Sequence, residues 1–203
     1  MAAWTEYTAC AVCAISGVLA ASGKNMDLFG AIMLALATAL GGGTLRDLCL
    51  DVTPIFWIQT PAFLIVSLIA AVATFFLAAR HTFRNRALNI ADAFGLALFG
   101  IIGTEKALAH SAPASVAVFM GILTAVAGGI IRDVLRNEIP VVFRRDVHLY
   151  ATAVFGGAAI FVLLQHFYPA SPSNRYIGMI IILTLRLAAI RWRIALPAYQ
   201  EKG

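Results

Sequence analysis

The sequence predicts an all-α integral membrane fold of seven transmembrane helices, arranged as two inverted three-helix repeats plus a seventh helix. Three observations support this prediction: an apolar composition, seven separate apolar runs, and a motif that occurs twice. Of the 203 residues, 61% are hydrophobic and only 12% are charged, and the mean hydropathy is +0.88. Soluble domains carry about 25% charged residues. We therefore expect lipid to surround most of the chain, and residues 1–203 to form a single membrane domain.

The apolar runs are long enough to be membrane-spanning helices, since a helix needs about 20 residues to cross the hydrocarbon core of a bilayer. The predicted spans are 7–23, 28–50, 62–79, 90–108, 115–136, 148–168 and 176–194. The breaks after successive runs contain Gly23, Pro54, Arg80, Pro113, Pro140 and Pro169. The first run lacks the basic flank and the cleavage site of a signal peptide, so we expect it to be retained.

Basic residues concentrate in the loops on one predicted side of the membrane. In chain order they are Lys24, Arg80, Arg84, Arg86, Arg136, Arg144, Arg145, Arg191, Arg193 and Lys202. Cytoplasmic loops are enriched in lysine and arginine. We therefore expect an external N-terminus and a cytoplasmic C-terminus in the inner membrane of the cell. Because these residues lie between apolar runs, the net charge of +5 indicates orientation rather than binding to nucleic acid.

One motif occurs twice in register. Residues 38–47 read TALGGGTLRD and residues 124–133 read TAVAGGIIRD, and a proline follows eight residues after each arginine. The first repeat covers about residues 7–79 and the second about residues 90–168, with the seventh helix at about 176–194. An offset of three crossings reverses direction, so the two copies must be inverted. Inverted repeats are common in transport proteins, which favours transport over a purely structural role.

Five glycines of the motif lie in the middle of the second and fifth spans. They are Gly41, Gly42, Gly43, Gly128 and Gly129. Glycine permits either a bend in a helix or the close approach of another helix. We favour a kink, because three consecutive glycines exceed what packing needs, and close packing is the alternative.

A helix that opens at these glycines would expose oxygen atoms to an ion. The backbone near Thr38, Ala39, Thr124 and Ala125 would then supply carbonyl oxygens, with the hydroxyls of Thr38, Thr44 and Thr124 nearby. Carbonyl oxygens can replace part of the hydration shell of a monovalent cation. We therefore expect K⁺ or Na⁺ to bind here as the transported ion.

The motif also places four charged side chains within the spans, namely Arg46, Asp47, Arg132 and Asp133. Such groups are costly at membrane depth and are usually paired. Neighbouring residues on a helix point in different directions, so we expect each arginine and aspartate to find partners elsewhere. The inverted symmetry predicts two ion pairs, Asp47 with Lys106 and Asp133 with Lys24.

Catalytic chemistry is not indicated. Cys10 and Cys13 lie three residues apart in the first apolar run, where thiols pack rather than react because reactive cysteines need accessible thiolates. The histidines, His81, His110, His148 and His166, lie at span ends without the spacing of metal ligands. We expect neither an enzyme nor an organic cofactor, and an intramembrane thiol enzyme is the least favoured alternative.

Several further segments accompany the glycine motifs. They are Ser16-Gly17, Asp27-Leu28-Phe29-Gly30-Ala31, the prolines Pro54 and Pro140, Leu185-Arg186-Leu187 and Trp192. Together they resemble the bacterial branch of the trimeric intracellular cation (TRIC) channel family. The resemblance implies a homotrimer in the lipid bilayer with one pore inside each protomer. It also implies kinks at Gly42-Gly43 and Gly128-Gly129 and conduction of K⁺ and Na⁺.

Two transport functions follow from these observations. A monovalent cation channel is favoured, with its pore lined by the second and fifth spans. A secondary transporter for a small zwitterion such as glycine is the alternative, because a broken helix offers N–H groups as well as carbonyl groups and because some bacterial relatives are linked to glycine uptake. A structural assembly protein would show no flux.

Overall fold

The structure is a computed structural model that describes residues 3–80, 85–144, 149–169, 171–192 and 194. Within these residues it contains eight α-helices, one 3-10 helix and no strand. The α-helices are α1 (Ala3–Ala21), α2 (Leu28–Cys49), α3 (Phe56–Gln59), α4 (Ala62–Arg80), α5 (Asn85–Ala109), α6 (Ala114–Leu135), α7 (Ala151–Phe167) and α8 (Ser173–Trp192). The 3-10 helix is η1 (Val141–Phe143).

Every predicted span corresponds to an α-helix, with ends that differ by at most five residues. α2 begins at the predicted residue because the Asp27 carboxylate accepts the backbone N–H of Gly30 at 2.8 Å and so caps the helix. The short helices α3 and η1 were not predicted. They lie in the connections after α2 and α6, immediately beyond Pro54 and Pro140.

Among the described residues, five helices are long and apolar enough to cross a membrane: α1, α2, α5, α6 and α8. α7 and the segment Ala62–Ala78 of α4 are also apolar but shorter than 18 residues. The chain is therefore an all-α membrane protein with five clear apolar spans.

α2 and α6 pack against each other, and the other helices are arranged around this pair. α1 and α4 contact α2, whereas α5 and α7 contact α6. α8 packs on α5 and α7, and α1 also contacts α5. Each copy of the duplicated motif therefore lies on a helix that contacts the long helix before it and the long helix after it.

Glycines of both motif copies allow α2 and α6 to touch. A Cβ atom built on Gly42 would overlap the carbonyl oxygen of Thr124, and one built on Gly128 would overlap the carbonyl oxygen of Thr38. Both helices continue without interruption through these residues. The glycines therefore provide close packing, which was the alternative explanation. A helix can be bent without being interrupted, so the kink at these glycines stays a prediction.

The run of three glycines in α2 meets a different neighbour at each position. A Cβ atom on Gly41 would lie 2.6 Å from Ile131 of α6, and one on Gly43 would lie 2.6 Å from the Phe56 ring of α3. Gly42 lies between them and faces the backbone of α6. Each of the three glycines is therefore in close contact with a neighbouring element.

Part of the predicted orientation signal falls outside the described residues. The residues concerned are Arg84, Arg145, Arg193 and Lys202, and His81 and His148 also lie outside. The placement of the two termini relative to the membrane stays a prediction.

Candidate functional site

The C-terminal end of α2 carries a buried group of charges that we name the Asp47 cluster, formed by Arg46, Asp47 and Lys106. Oδ1 of the fully buried Asp47 accepts hydrogen bonds from Arg46 Nε and Lys106 Nζ, both at 2.8 Å. Oδ2 accepts the backbone N–H of Phe56 at 2.9 Å. The guanidinium carbon of Arg46 lies 5.4 Å from the centroid of the Phe56 ring. The predicted ion pair between Asp47 and Lys106 is thus present in the structure.

The Asp47 cluster fixes the connection that follows α2. Phe56, whose N–H binds Asp47, is the first residue of α3. In the same helix, Trp57 Nε1 donates a hydrogen bond to Thr44 Oγ1 at 3.0 Å. The Thr44 hydroxyl in turn donates to the carbonyl oxygen of Leu40 at 2.8 Å. Thr44, predicted to lie near an ion, therefore holds α3 against α2.

α6 ends in a corresponding group, the Asp133 cluster, formed by Arg132, Asp133 and Arg136. Asp133 Oδ1 accepts a hydrogen bond from Arg132 Nε at 2.8 Å and lies 3.7 Å from Arg136 Nη1. Its Oδ2 atom accepts the backbone N–H of Val141, the first residue of η1, at 3.0 Å. In both clusters the arginine binds the aspartate beside it, which was not expected, because the long guanidinium side chain reaches back to the adjacent carboxylate. The expected partners elsewhere are also present for Asp47 and Arg132.

The predicted ion pair between Lys24 and Asp133 is wrong. Lys24 Nζ lies 2.7 Å from Glu138 Oε1, and Glu138 Oε2 also lies 3.1 Å from Arg136 Nη1. Arg136 follows Asp133 by one helical turn and occupies the space beside its carboxylate, so Lys24 meets the next acidic residue instead. Hydrogen bonding to Lys24 lowers the pKa of Glu138, which lies beyond the end of α6, below its ordinary value.

Arg132 joins the Asp133 cluster to several other helices. Its Nη1 atom donates hydrogen bonds to Ser16 Oγ on α1 and to Asp92 Oδ1 on α5, both at 2.8 Å. Asp92 is also hydrogen-bonded to the side chain of Tyr150, next to α7. The guanidinium carbon of Arg186, on α8, lies 4.7 Å from the centroid of the Tyr150 ring. With 1% of its surface exposed, Arg132 is shielded from solvent at the meeting point of these elements.

Sequence reasoning missed Asp92 and Tyr150. A signal existed for Asp92, because an acidic residue within the predicted span 90–108 requires a partner. No signal existed for Tyr150, since only the tertiary structure brings its hydroxyl group to Gly129, where an added Cβ atom would lie 3.0 Å away.

Thr38 and Thr124, the predicted cation ligands, lie where α2 and α6 touch. Each hydroxyl donates a hydrogen bond of 2.6 Å to the carbonyl oxygen four residues earlier in its own helix. Their own carbonyl oxygens face the opposite helix. Ala39 is buried and Ala125 packs on the hydrophobic core. The predicted cation site is therefore closed by helix packing in this structure.

Both clusters consist of charged side chains that pair with one another. In the part of the chain that the structure describes, no group of three or more His, Cys, Asp and Glu side chains could hold a metal ion. Cys10, Cys13 and Cys49 are free thiols. What the geometry provides is a pair of charged groups at the C-terminal ends of α2 and α6, each of which orders the connection that follows.

Known proteins share both the duplication and the fold of this chain. A family model described as "Glycine transporter" matches the chain twice, at residues 3–79 and 89–166. A TRIC trimeric intracellular cation channel orthologue from Rhodobacter sphaeroides, of solved structure, is 39% identical, with a TM-score of 0.89 over 95% of this chain and 98% of that chain. This chain belongs to the bacterial branch of the TRIC channel family. The two matches of the family model start at residues 3 and 89, the same separation as that between Asp47 and Asp133.

Other members of the TRIC family and related proteins match over most of their length. A second solved structure, from work on conductance through TRIC cation channels, is 32% identical, with a TM-score of 0.88 over 100% of this chain and 99% of that chain. The inner membrane protein YadS of Escherichia coli strain K12 is 41% identical over 97% of this chain and 95% of its own length. A membrane protein of Vibrio cholerae is 44% identical over 93% of this chain and 79% of its own length.

Proposed function

We propose that this protein is a monovalent cation channel for K⁺ and Na⁺, with a pore in each protomer of a homotrimer. The observation that carries the proposal is the match to solved TRIC cation channels along nearly the whole chain, at 39% and 32% identity. Sequence identity at this level, together with the same fold, favours a shared activity. The relatives named as inner membrane proteins favour the same location for this chain.

The proposed membrane topology has seven spans, with an external N-terminus and a cytoplasmic C-terminus. α7 and the apolar part of α4 each contain 17 residues, which at about 1.5 Å per residue gives about 26 Å. That length comes close to the thickness of the hydrocarbon core, and small mismatches are absorbed by the bilayer. The double match of the family model supports two repeats, and three spans in each repeat would make them inverted.

The proposed pore follows α2 and α6, with its constriction where Gly42 meets Thr124 and Gly128 meets Thr38. Because backbone contacts this site from both sides, ions would pass only when the two helices separate there. Separation would free the carbonyl oxygens of Thr38 and Thr124, and those of the following alanines, to coordinate a cation. Flexible glycines next to the contact would permit such a movement.

The two charged clusters would set the electrostatic barrier at the ends of this path. Asp47 and Asp133 each bind an arginine that is almost completely buried. Partial neutralisation by the aspartates lowers the repulsion that Arg46 and Arg132 would otherwise exert on a passing cation. Neutralising an aspartate should therefore reduce cation flux more than neutralising its arginine.

A second candidate is a transporter for glycine or another small zwitterion. The description of the matching family model favours it. Buried arginines beside aspartates also suit a substrate that carries both a carboxylate and an ammonium group. A carrier would need the α2–α6 contact to alternate between two closed arrangements, whereas a channel needs it only to open.

Flux into liposomes that contain the purified protein distinguishes these functions. Across a K⁺ gradient with impermeant counter-ions, a channel should let K⁺ flow without glycine and so set up a membrane potential rapidly, as reported by a voltage-sensitive dye. Protein-free liposomes provide the baseline. Saturable uptake of radiolabelled glycine with no K⁺ leak would replace the channel by the carrier. Neither flux, in protein shown to be folded, would contradict both functions.

A further inference from the structure

The connections after α2 and α6 are held to the bundle to different extents. After α2, the ring of Phe56 is buried against Gly43, and its N–H binds Asp47. Trp57 adds a side-chain hydrogen bond to Thr44. This connection is therefore tied by burial and by two hydrogen bonds that involve side chains of α2.

After α6, none of residues 136–144 is buried. One hydrogen bond from an α6 side chain reaches this connection, between Asp133 Oδ2 and the N–H of Val141. Backbone hydrogen bonds join residues 136–138 to the last turn of α6, and Val141 and Val142 pack against the core while staying partly exposed. The ion pair between Glu138 and Lys24 joins it to the turn between α1 and α2 at 2.7 Å. Segments with few buried contacts open at a lower free-energy cost than the core.

Buried charges of the proposed pore lie directly behind this connection. Asp133 is 2% exposed and Arg132 is 1% exposed, and the hydrogen bond to Val141 shows that the connection contacts the Asp133 carboxylate. Movement of residues 136–144 would therefore admit water and ions to the Asp133 cluster.

We infer that residues 136–144 form a movable cover over the Asp133 cluster and that the Lys24–Glu138 ion pair holds this cover closed. The cover regulates the passage of ions at the α6 end of the pore. The regulatory part of this inference rests on the proposed channel function, whereas the movement of the cover does not.

We call the Lys24–Glu138 ion pair the latch. The charges around Glu138 explain why this ion pair would hold the cover closed. Its basic neighbours are Lys24 from the turn before α2, Arg136 at the end of α6 and Arg144 beyond η1. Without the carboxylate these basic groups would repel one another across the edge of the cover. The side chains of Lys24 and Glu138 are 34% and 32% exposed, so solvent weakens the pair and the latch can be released.

Two substitutions test the latch. Glu138→Gln removes both of its ion pairs, whereas Lys24→Gln removes only the link to the turn between α1 and α2. The matched control is Glu105→Gln, because Glu105 is 30% exposed and pairs with Arg175 of α8 at a different place in the bundle. An exposed ion pair of this kind changes an equilibrium by about two- to fivefold.

Hydrogen–deuterium exchange of residues 136–144, measured at one fixed pH in detergent-solubilised protein, reports opening of the cover without reference to transport. We expect exchange to become about two- to fivefold faster in Lys24→Gln and Glu138→Gln, and to stay at the wild-type rate in Glu105→Gln. K⁺ flux into liposomes should rise by a similar factor in the same two variants.

Each result bears on a separate part of the inference. Unchanged exchange in both latch variants overturns the cover. Faster exchange with wild-type K⁺ flux overturns its regulatory role. Loss of K⁺ flux in the wild-type protein itself contradicts the proposed channel, and the exchange result then still decides whether the cover moves.

Discussion

Replacing Gly42 with alanine tests whether the duplicated glycines serve helix packing. The new methyl group would overlap the carbonyl oxygen of Thr124, far inside the 3.0 Å limit that real Cβ atoms respect. Because the obstacle is backbone, no side-chain rotation can relieve the overlap, and α2 and α6 must move apart. Gly156→Ala on α7 is the matched control, since its nearest neighbour would be Leu185 Cδ1 at 3.6 Å, an ordinary contact.

The expected magnitude follows from two opposing effects. Overpacking that shifts backbone costs about 1–3 kcal/mol, whereas exchanging glycine for alanine inside a helix returns about 1 kcal/mol. We expect Gly42→Ala to lower the free energy of unfolding by up to about 2 kcal/mol and Gly156→Ala to raise it by up to about 1 kcal/mol. The gain is common to both variants, so they should differ by the overpacking cost of about 1–3 kcal/mol, which for a chain of this size corresponds to about 2–12 °C in Tm.

Thermal unfolding of the detergent-solubilised protein, followed by tryptophan fluorescence, measures this difference. A double variant, Gly42→Ala with Gly128→Ala, should cost less than the sum of the single variants, because both methyl groups separate the same pair of helices. If Gly42→Ala matches or exceeds Gly156→Ala in Tm, the packing role is refuted, and a hinge or kink becomes the better explanation of the motif.

Three further predictions address the connections and their anchors. Asp47→Asn should lower the free energy of unfolding by about 3–5 kcal/mol, because it leaves the buried charges of Arg46 and Lys106 without a counter-ion. Chemical denaturation in detergent measures this loss. A variant as stable as the wild type would contradict the role of Asp47 as their counter-ion. Trp57→Phe keeps an aromatic ring but loses the hydrogen bond to Thr44, so the same assay should show a decrease of about 0.5–1.5 kcal/mol in the free energy of unfolding. Glu138 has a pKa below its ordinary value of 4.5 in the folded protein. Its ion pair with Lys24 therefore stabilises the fold fully at a pH above 4.5, and this stabilisation is lost as the pH falls through the lowered pKa of Glu138. The Tm difference between wild type and Glu138→Gln should therefore be constant from about pH 8 to about pH 5 and shrink below that range; a difference that disappears near neutral pH would argue against the pair.

Local sequence patterns predicted the helices well because each pattern acts within one segment. Each apolar run coincides with an α-helix of the described residues, and Asp27 marked the start of α2 through a capping hydrogen bond within its own first turn. The duplicated motif likewise pointed to Asp47 and Asp133 before any contact was known. Its register also led to the pair between Asp47 and Lys106, which the structure contains.

The short helices and the remaining partners depended on contacts distant in sequence. α3 and η1 contain only four and three residues, too few for a hydrophobic period, and each is ordered by an aspartate from the preceding helix. The predicted partner of Lys24 was wrong because symmetry ignores Arg136 and Glu138, which distinguish the second connection from the first.

The sequence by itself determined the membrane environment, the positions of the long helices and the identity of the duplicated residues, because composition and period are properties of each segment alone. Only the tertiary structure decided what the glycines do. A missing Cβ atom permits a kink as well as a close contact, and only the packed helices show whether another backbone lies opposite. In this protein the carbonyl oxygens of Thr124 and Thr38 lie there, so α2 and α6 meet in close contact at the glycines.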